Sequence, residues 1–150
     1  AVMDGMTSLP KEKIKPRPGA EDVIRYVAEQ KIPCAIASSS SQVIIEHFVK
    51  ILGWGDLIPQ RYSAEFMKLG KPAPDIYLHT AQQLGLDPAQ CLALEDSRAG
   101  TQAALAAGMT CYTVPDLSHS KMTDFDGIND NIYASLVDVL DEFKTKRLFS

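Results

Sequence analysis

The sequence predicts an α/β fold with a mainly parallel sheet flanked by helices. Short apolar runs, Ile32 to Ala37, Cys91 to Leu94 and Thr110 to Val114, alternate with amphipathic stretches of helical period. Runs that are apolar on successive residues suit strands covered on both faces. Alternating helices and strands of this kind are joined by right-handed crossovers. No internal repeat and no low-complexity tract interrupts the pattern.

Taken in order, Ala1 to Ser8 has no clear period, and Lys11 to Pro18 is charged and broken by prolines, as linkers are. Residues 1–17 are therefore set apart from an α/β core over 18–150. Pro18-Gly19 opens a helix to Gln30, with Glu21 and Asp22 at its positive end and Val23, Ile24, Val27 and Ala28 facing inward. The strand Ile32 to Ala37 ends in Ser38-Ser39-Ser40-Ser41. A helix follows, with Ile45, Val49 and Leu52 among its apolar positions and Gly53 as its stop. A short strand is expected near Leu57 to Tyr62. Pro72 and Pro74 then stiffen a loop around Lys71 and forbid helix through it. Pro74 suits the first position of the next helix, which carries Ile76, Tyr77, Ala81 and Leu84 and stops at Gly85. Cys91 to Leu94 reads as a buried strand of a parallel sheet and ends in Glu95-Asp96. Thr101 to Ala107 is helical and rich in alanine, so it can lie close to the sheet. Thr110 to Val114 is a strand stopped by Pro115, and Tyr133 to Phe143 is a final amphipathic helix.

A chain of 150 residues is about one domain and can bury a substantial core. The net charge of −4 gives no basic field for nucleic acid. No apolar run is long enough to span a bilayer, and no signal pattern stands at the first residues. Cys34, Cys91 and Cys111 are odd in number, lack metal spacing and fall in predicted strands. They read as buried thiols in a reducing, cytoplasmic setting. His47, His79 and His119 are scattered, without metal spacing, and read as solvated.

Three polar stations stand at or near predicted strand ends: Ser38 to Ser41, Gly70-Lys71-Pro72, and Glu95-Asp96. In a parallel sheet all strand carboxyl ends share one edge, so the three can converge. Each has a plain reading alone: a helix cap, a solvated lysine, and acids at a helix N-terminus. Together they suit phosphoryl transfer. Hydroxyls and free N–H groups hold phosphate oxygens, a lysine offsets charge, and paired carboxylates hold Mg²⁺. A dinucleotide fold lacks its Gly-x-Gly-x-x-Gly here, and no Walker loop occurs. A phosphoacceptor receiver would need its acids before its lysine.

Ile36-Ala37-Ser38-Ser39-Ser40-Ser41, Gly70-Lys71-Pro72-Ala73-Pro74-Asp75-Ile76-Tyr77 and Leu94-Glu95-Asp96-Ser97-Arg98-Ala99-Gly100 resemble motifs II, III and IV of the haloacid dehalogenase superfamily. The nearest likeness is to its β-phosphoglucomutase-like phosphatases. The resemblance covers roughly residues 15–143. It implies a Rossmann-like core and a set of roles. Ser38 would hydrogen-bond the phosphoryl group, with Ser39 as a backbone N–H donor beside it. Lys71 would bridge phosphate and nucleophile. Asp96 would bind Mg²⁺ directly, and Glu95 directly or through water. The family forms an aspartyl-phosphate, discharged by water or by a sugar hydroxyl.

The resemblance also implies a first motif, an apolar strand ending in Asp-x-Asp, that is central in the sheet. Nothing before Pro18 reads as such a strand, so the central first strand is expected to be missing. Val2-Met3-Asp4-Gly5-Met6-Thr7 is a partial echo; with Asp4 as the acid, Val2 would take the nucleophile position. Ala1 to Ser8 is read instead as the tail of a cap helix. Asp124-Phe125-Asp126-Gly127 matches the string but follows no buried strand, and is read as a decoy. The expected function is a Mg²⁺-dependent phosphatase acting on a small phosphorylated metabolite such as a sugar phosphate. The chain is expected to be part of a longer protein, to need a missing N-terminal segment of it, and to be inactive alone. A phosphosugar mutase and a non-catalytic binding protein are the alternatives. No membrane or nucleic-acid partner is expected.

Overall fold

The computed structural model describes residues 2–3, 7–8 and 15–146. Its first elements are three two-residue strands, β1 (Val2–Met3), β2 (Thr7–Ser8) and β3 (Lys15–Pro16). Then follow α1 (Ala20–Glu29), β4 (Ala35–Ser38), α2 (Gln42–Leu52), β5 (Gln60–Ser63) and α3 (Asp75–Leu84). The chain closes with β6 (Leu92–Glu95), α4 (Arg98–Ala106), β7 (Thr110–Thr113) and α5 (Leu136–Lys146). The main sheet has the order β5-β4-β1-β6-β7, and every pairing in it is parallel. β2 and β3 form a separate antiparallel pair.

The expected α/β architecture is observed, with one correction. The central slot is not empty: Val2 pairs with Ala35 and Ala93, and Met3 with Ile36 and Leu94. Two apolar residues can bridge β4 and β6 because those strands are themselves only four residues long. Val2–Met3 and Thr7–Ser8 are extended, so these residues of the expected cap-helix tail are not helical; residues 4–6 lie outside the described residues.

Boundaries shift where backbone hydrogen bonding decides. Pro33 has no N–H for the ladder, so β4 begins at Ala35. Pro59 has the same effect, and β5 begins at Gln60. α4 starts at Arg98, earlier than the alanine pattern suggests, because Ser97 caps it by accepting from the Gly100 N–H at 3.0 Å. Tyr133 and Ile132 are drawn into pairing with Thr113, and the last helix starts only at Leu136.

The two sheet faces differ in kind. Leu92, Leu94, Tyr112 and Val114 pack with α1 and α5 residues such as Ile24, Val27, Val139 and Phe143. The other face is lined by Ala37, Ala93 and Cys111 against Ile76, Tyr77 and Ala81 of α3 and Ala103 and Ala104 of α4. Small residues there let those helices approach closely. Gly19, at φ +85°, lets the chain enter α1 while pressed on α5; an added Cβ would lie 3.0 Å from the Val137 nitrogen.

All three cysteines are buried, and burial pushes their thiols up, Cys34 to about 11 and Cys111 to about 12. A thiol with such a value holds almost no thiolate near neutrality. An aromatic disulfide reagent at mildly alkaline pH is therefore expected to leave Cys34 and Cys111 untouched in the folded chain and to titrate them fully in denaturant. Fast native-state labelling of either would show that the strand carrying it opens. No helix among the described residues is long and apolar enough to cross a membrane.

Candidate active site

β4 delivers the first station. Ser38 is its last residue, 8 % exposed, and its Oγ accepts from the Ser40 N–H at 3.1 Å. This local bond folds the serines into a turn, as short hydroxyl side chains do. Ser41 then caps α2, accepting from the Ile44 N–H. Ser39 is the exposed member of the turn. Two residues missed from sequence brace it. The Ser63 hydroxyl, buried on β5, donates to the Ser40 carbonyl at 2.6 Å, and the Glu65 carboxylate accepts from the Gln42 N–H at 2.9 Å. No local pattern marks them, because their partners lie on another element.

Lys71 reaches in from the proline-stiffened loop. Its ammonium donates to the Ala37 carbonyl at 3.2 Å and to Glu95 Oε1 at 2.6 Å. It therefore spans the carboxyl ends of β4 and β6, on either side of β1. The Lys71 and Glu95 side chains are only 5 % and 0 % exposed, so the pair is withdrawn from water. Tyr77 of α3, fully buried, donates its hydroxyl to the same Glu95 oxygen, and Lys71 Nζ stands 4.9 Å above its ring. The sequence marked Tyr77 as a core residue of its helix and as the end of the third-motif string, with no role of its own. The usable signal was chemical: a buried tyrosine hydroxyl needs a partner.

Glu95 follows Ala93 on the α3/α4 face, where Gly100 of α4 forms a wall. A Cβ at Gly100 would fall 2.0–2.3 Å from the Glu95 carboxylate atoms. Asp96, half-buried, sits on the turn between β6 and α4, directly before the Ser97 cap. Thus the structure brings Ser38, Lys71 and Glu95 to one sheet edge, with Ser39 and Asp96 each one residue beyond a strand end.

The register bears on the partial echo near the start of the chain. Val2 lies level with Ala35 and Ala93, two residues short of Ala37 and Glu95. Asp4, the acid of that echo, lies outside the described residues. In the Asp124-Phe125-Asp126-Gly127 string Phe125 is buried. Asp124 and Asp126 are exposed on and after a 3-10 turn, where the Asp124 carboxylate accepts from the Lys121 N–H at 2.8 Å. Of the histidines, His47 and His119 are exposed, whereas His79 is half-buried, edge-on to Tyr62 at 5.3 Å.

Among the described residues no cluster of three or more His, Cys, Asp or Glu could enclose a metal. Mg²⁺ does not need one: it is commonly held by one or two carboxylates, with waters and substrate phosphate filling the other positions. The adjacent hard oxygens of Asp96 and Glu95 fit that donor set, although Glu95 Oε1 is already engaged by Lys71 and Tyr77.

A hydroxyl turn, a buried lysine and adjacent acids thus gather at the carboxyl edge of a parallel sheet, where open α/β folds bind their ligands. The sequence profile of the haloacid dehalogenase-like hydrolases matches residues 6–108, and the chain belongs to that family. It is 38 % identical over 129 residues to a bifunctional riboflavin kinase/FMN phosphatase of Arabidopsis thaliana, covering 85 % of this chain and 34 % of that protein. It is 39 % identical over 104 residues to hexitol phosphatase A of Escherichia coli, covering 69 % and 46 %. A putative β-phosphoglucomutase from Thermotoga maritima superposes with a TM-score of 0.78 at 25 % identity, covering 87 % of this chain and 62 % of that one. These likenesses set the chain with the β-phosphoglucomutase-like members. The chain spans less than half the length of these two curated relatives.

Proposed function

We propose that this protein is a Mg²⁺-dependent phosphatase acting on a small phosphorylated metabolite, such as a sugar phosphate. The observation that carries the reading is the buried Lys71 ammonium, fixed between the ends of β4 and β6 by Ala37 and Glu95. That charge would offset the negative charge that develops on a transferring phosphoryl group. Ser38 and the Ser39 N–H supply hydrogen bonds to phosphate oxygens at the adjoining strand end. Asp96 would hold the metal directly, and Glu95 directly or through water. Bound Mg²⁺ supplies further charge neutralisation at the phosphate. In this chemistry a carboxylate attacks phosphorus and the alcohol leaves, after which water hydrolyses the acyl phosphate; β1, Val2–Met3, carries no such carboxylate among the described residues.

The test is hydrolysis of a general phosphoester by the protein in its full natural length, with and without a chelator. Asp96→Asn is expected to lower kcat/KM at least 100-fold, an effect of about 3 kcal/mol on the barrier. Undiminished turnover in that variant would exclude the metal role. No Asp-x-Asp pair precedes Pro18, so residues 1–150 alone are expected to show no turnover. Turnover by this chain would reverse that expectation. The likeness to a putative β-phosphoglucomutase favours one second reading, a phosphosugar mutase. Transfer of phosphate to an added sugar phosphate faster than to water would establish it.

A further inference from the structure

We propose that Tyr77 is a positioning residue of the site, its hydroxyl clamping Glu95 so that Lys71 is held between the two strand ends. Three observations converge on it. Tyr77 is fully buried on α3, and its hydroxyl donates to Glu95 Oε1. That oxygen also accepts from Lys71 Nζ at 2.6 Å. The same ammonium lies 4.9 Å over the Tyr77 ring, close enough for a cation–π contact. One side chain thus touches both members of the ion pair, through its edge and through its face.

The geometry gives the hydroxyl a definite task. A glutamate has three rotatable side-chain bonds, and each donor on its carboxylate narrows them. The Tyr77 hydroxyl is such a donor, on the same oxygen as Lys71 and rising from a rigid helix. Gly100 closes the opposite side: a Cβ there would overlap the carboxylate, 2.0 Å from Glu95 Oε2. Once the carboxylate is fixed, Lys71 is drawn to one position, from which it also reaches the Ala37 carbonyl beside Ser38. Tyr77 touches no phosphate in this arrangement; it acts through Glu95 and Lys71.

The inference rests on the phosphate-site reading above, and Tyr77→Phe tests the two separately. Phenylalanine keeps the ring and its contact with the ammonium and removes only the hydroxyl. The first measurement is the Lys71 ammonium resonance in a ¹⁵N-detected spectrum, together with the Glu95 carboxyl carbon. A protected, hydrogen-bonded ammonium gives a sharp signal; in Tyr77→Phe it is expected to shift and broaden while the backbone amide spectrum is retained. The second is binding of inorganic phosphate in the presence of Mg²⁺, expected to weaken about 10-fold, as fits loss of one hydrogen bond to a charged group. Unchanged Lys71 and Glu95 signals would overturn the proposal. So would phosphate binding by the native protein that is unaltered in the variant. Collapse of the amide spectrum would assign the hydroxyl to the fold and also overturn it. Failure of the native protein to bind phosphate would sink the functional reading, while the shifted ammonium signal would still support the clamp.

Discussion

Replacing Gly100 with alanine is expected to disrupt the site and to lower the melting temperature by about 10 °C. The added Cβ would lie 2.0 Å from Glu95 Oε2 and 2.1 Å from Cδ. A carboxylate at the end of a free side chain would simply swing away, at little cost. Here it cannot, because Lys71 and Tyr77 hold the opposite oxygen and the side chain is fully buried. Either α4 is pushed off the sheet or the carboxylate gives up its partners. The first route strains the close alanine packing of Ala103 and Ala104, and overpacking of that kind costs about 1–3 kcal/mol. The second strips a buried charge of hydrogen bonds worth about 1.5–3 kcal/mol each. Both routes lead to roughly 3 kcal/mol, which is about 10 °C for a domain of this size. Thermal unfolding followed by circular dichroism measures it. A shift below about 2 °C would mean that Glu95 is not pinned as described.

This glycine also shows what the sequence could not display. Gly100 stands in an alanine-rich helical stretch, where nothing nearby explains a residue that weakens helices. Its reason is Glu95, on the preceding strand and facing back. Tyr77 has the same character: helical periodicity placed it correctly in the core, but its hydroxyl's partner lies on β6. Ser63 and Glu65 brace the serine turn from β5, again across elements. What was legible was local or periodic. The strands around Ala35 to Ser38 and Leu92 to Glu95, the helices between them, and the three polar stations at the strand ends could all be read. β1 failed that reading for a simple reason. Two apolar residues carry no period, and typical strands run to about five or six, so only the tertiary register reveals them.

Lys71→Met is the second large effect expected, and it separates two ways in which one lysine can matter. Methionine matches the lysine stem in length and removes the charge. Lys71 is 5 % exposed and Glu95 0 %, so the pair lies outside the regime where solvent makes ion pairs nearly worthless. Removing one partner of a buried pair costs about 3–5 kcal/mol, chiefly because the remaining charge is stranded. The Tyr77 hydroxyl still donates to Glu95 and offsets part of that penalty, so the lower end, about 3 kcal/mol, is expected in a urea titration. The double variant Lys71→Met/Glu95→Gln removes the stranded charge and is expected to recover most of the loss, because a neutral amide still accepts from Tyr77. Recovery would mean that the buried charges add little net stability and stand at the sheet edge for chemistry. A single variant within about 1 kcal/mol of the native chain would contradict the buried ion pair itself. A double variant no more stable than the single one would instead make the pair a structural tie between β4 and β6, and would remove its buried charge as an argument for phosphate binding.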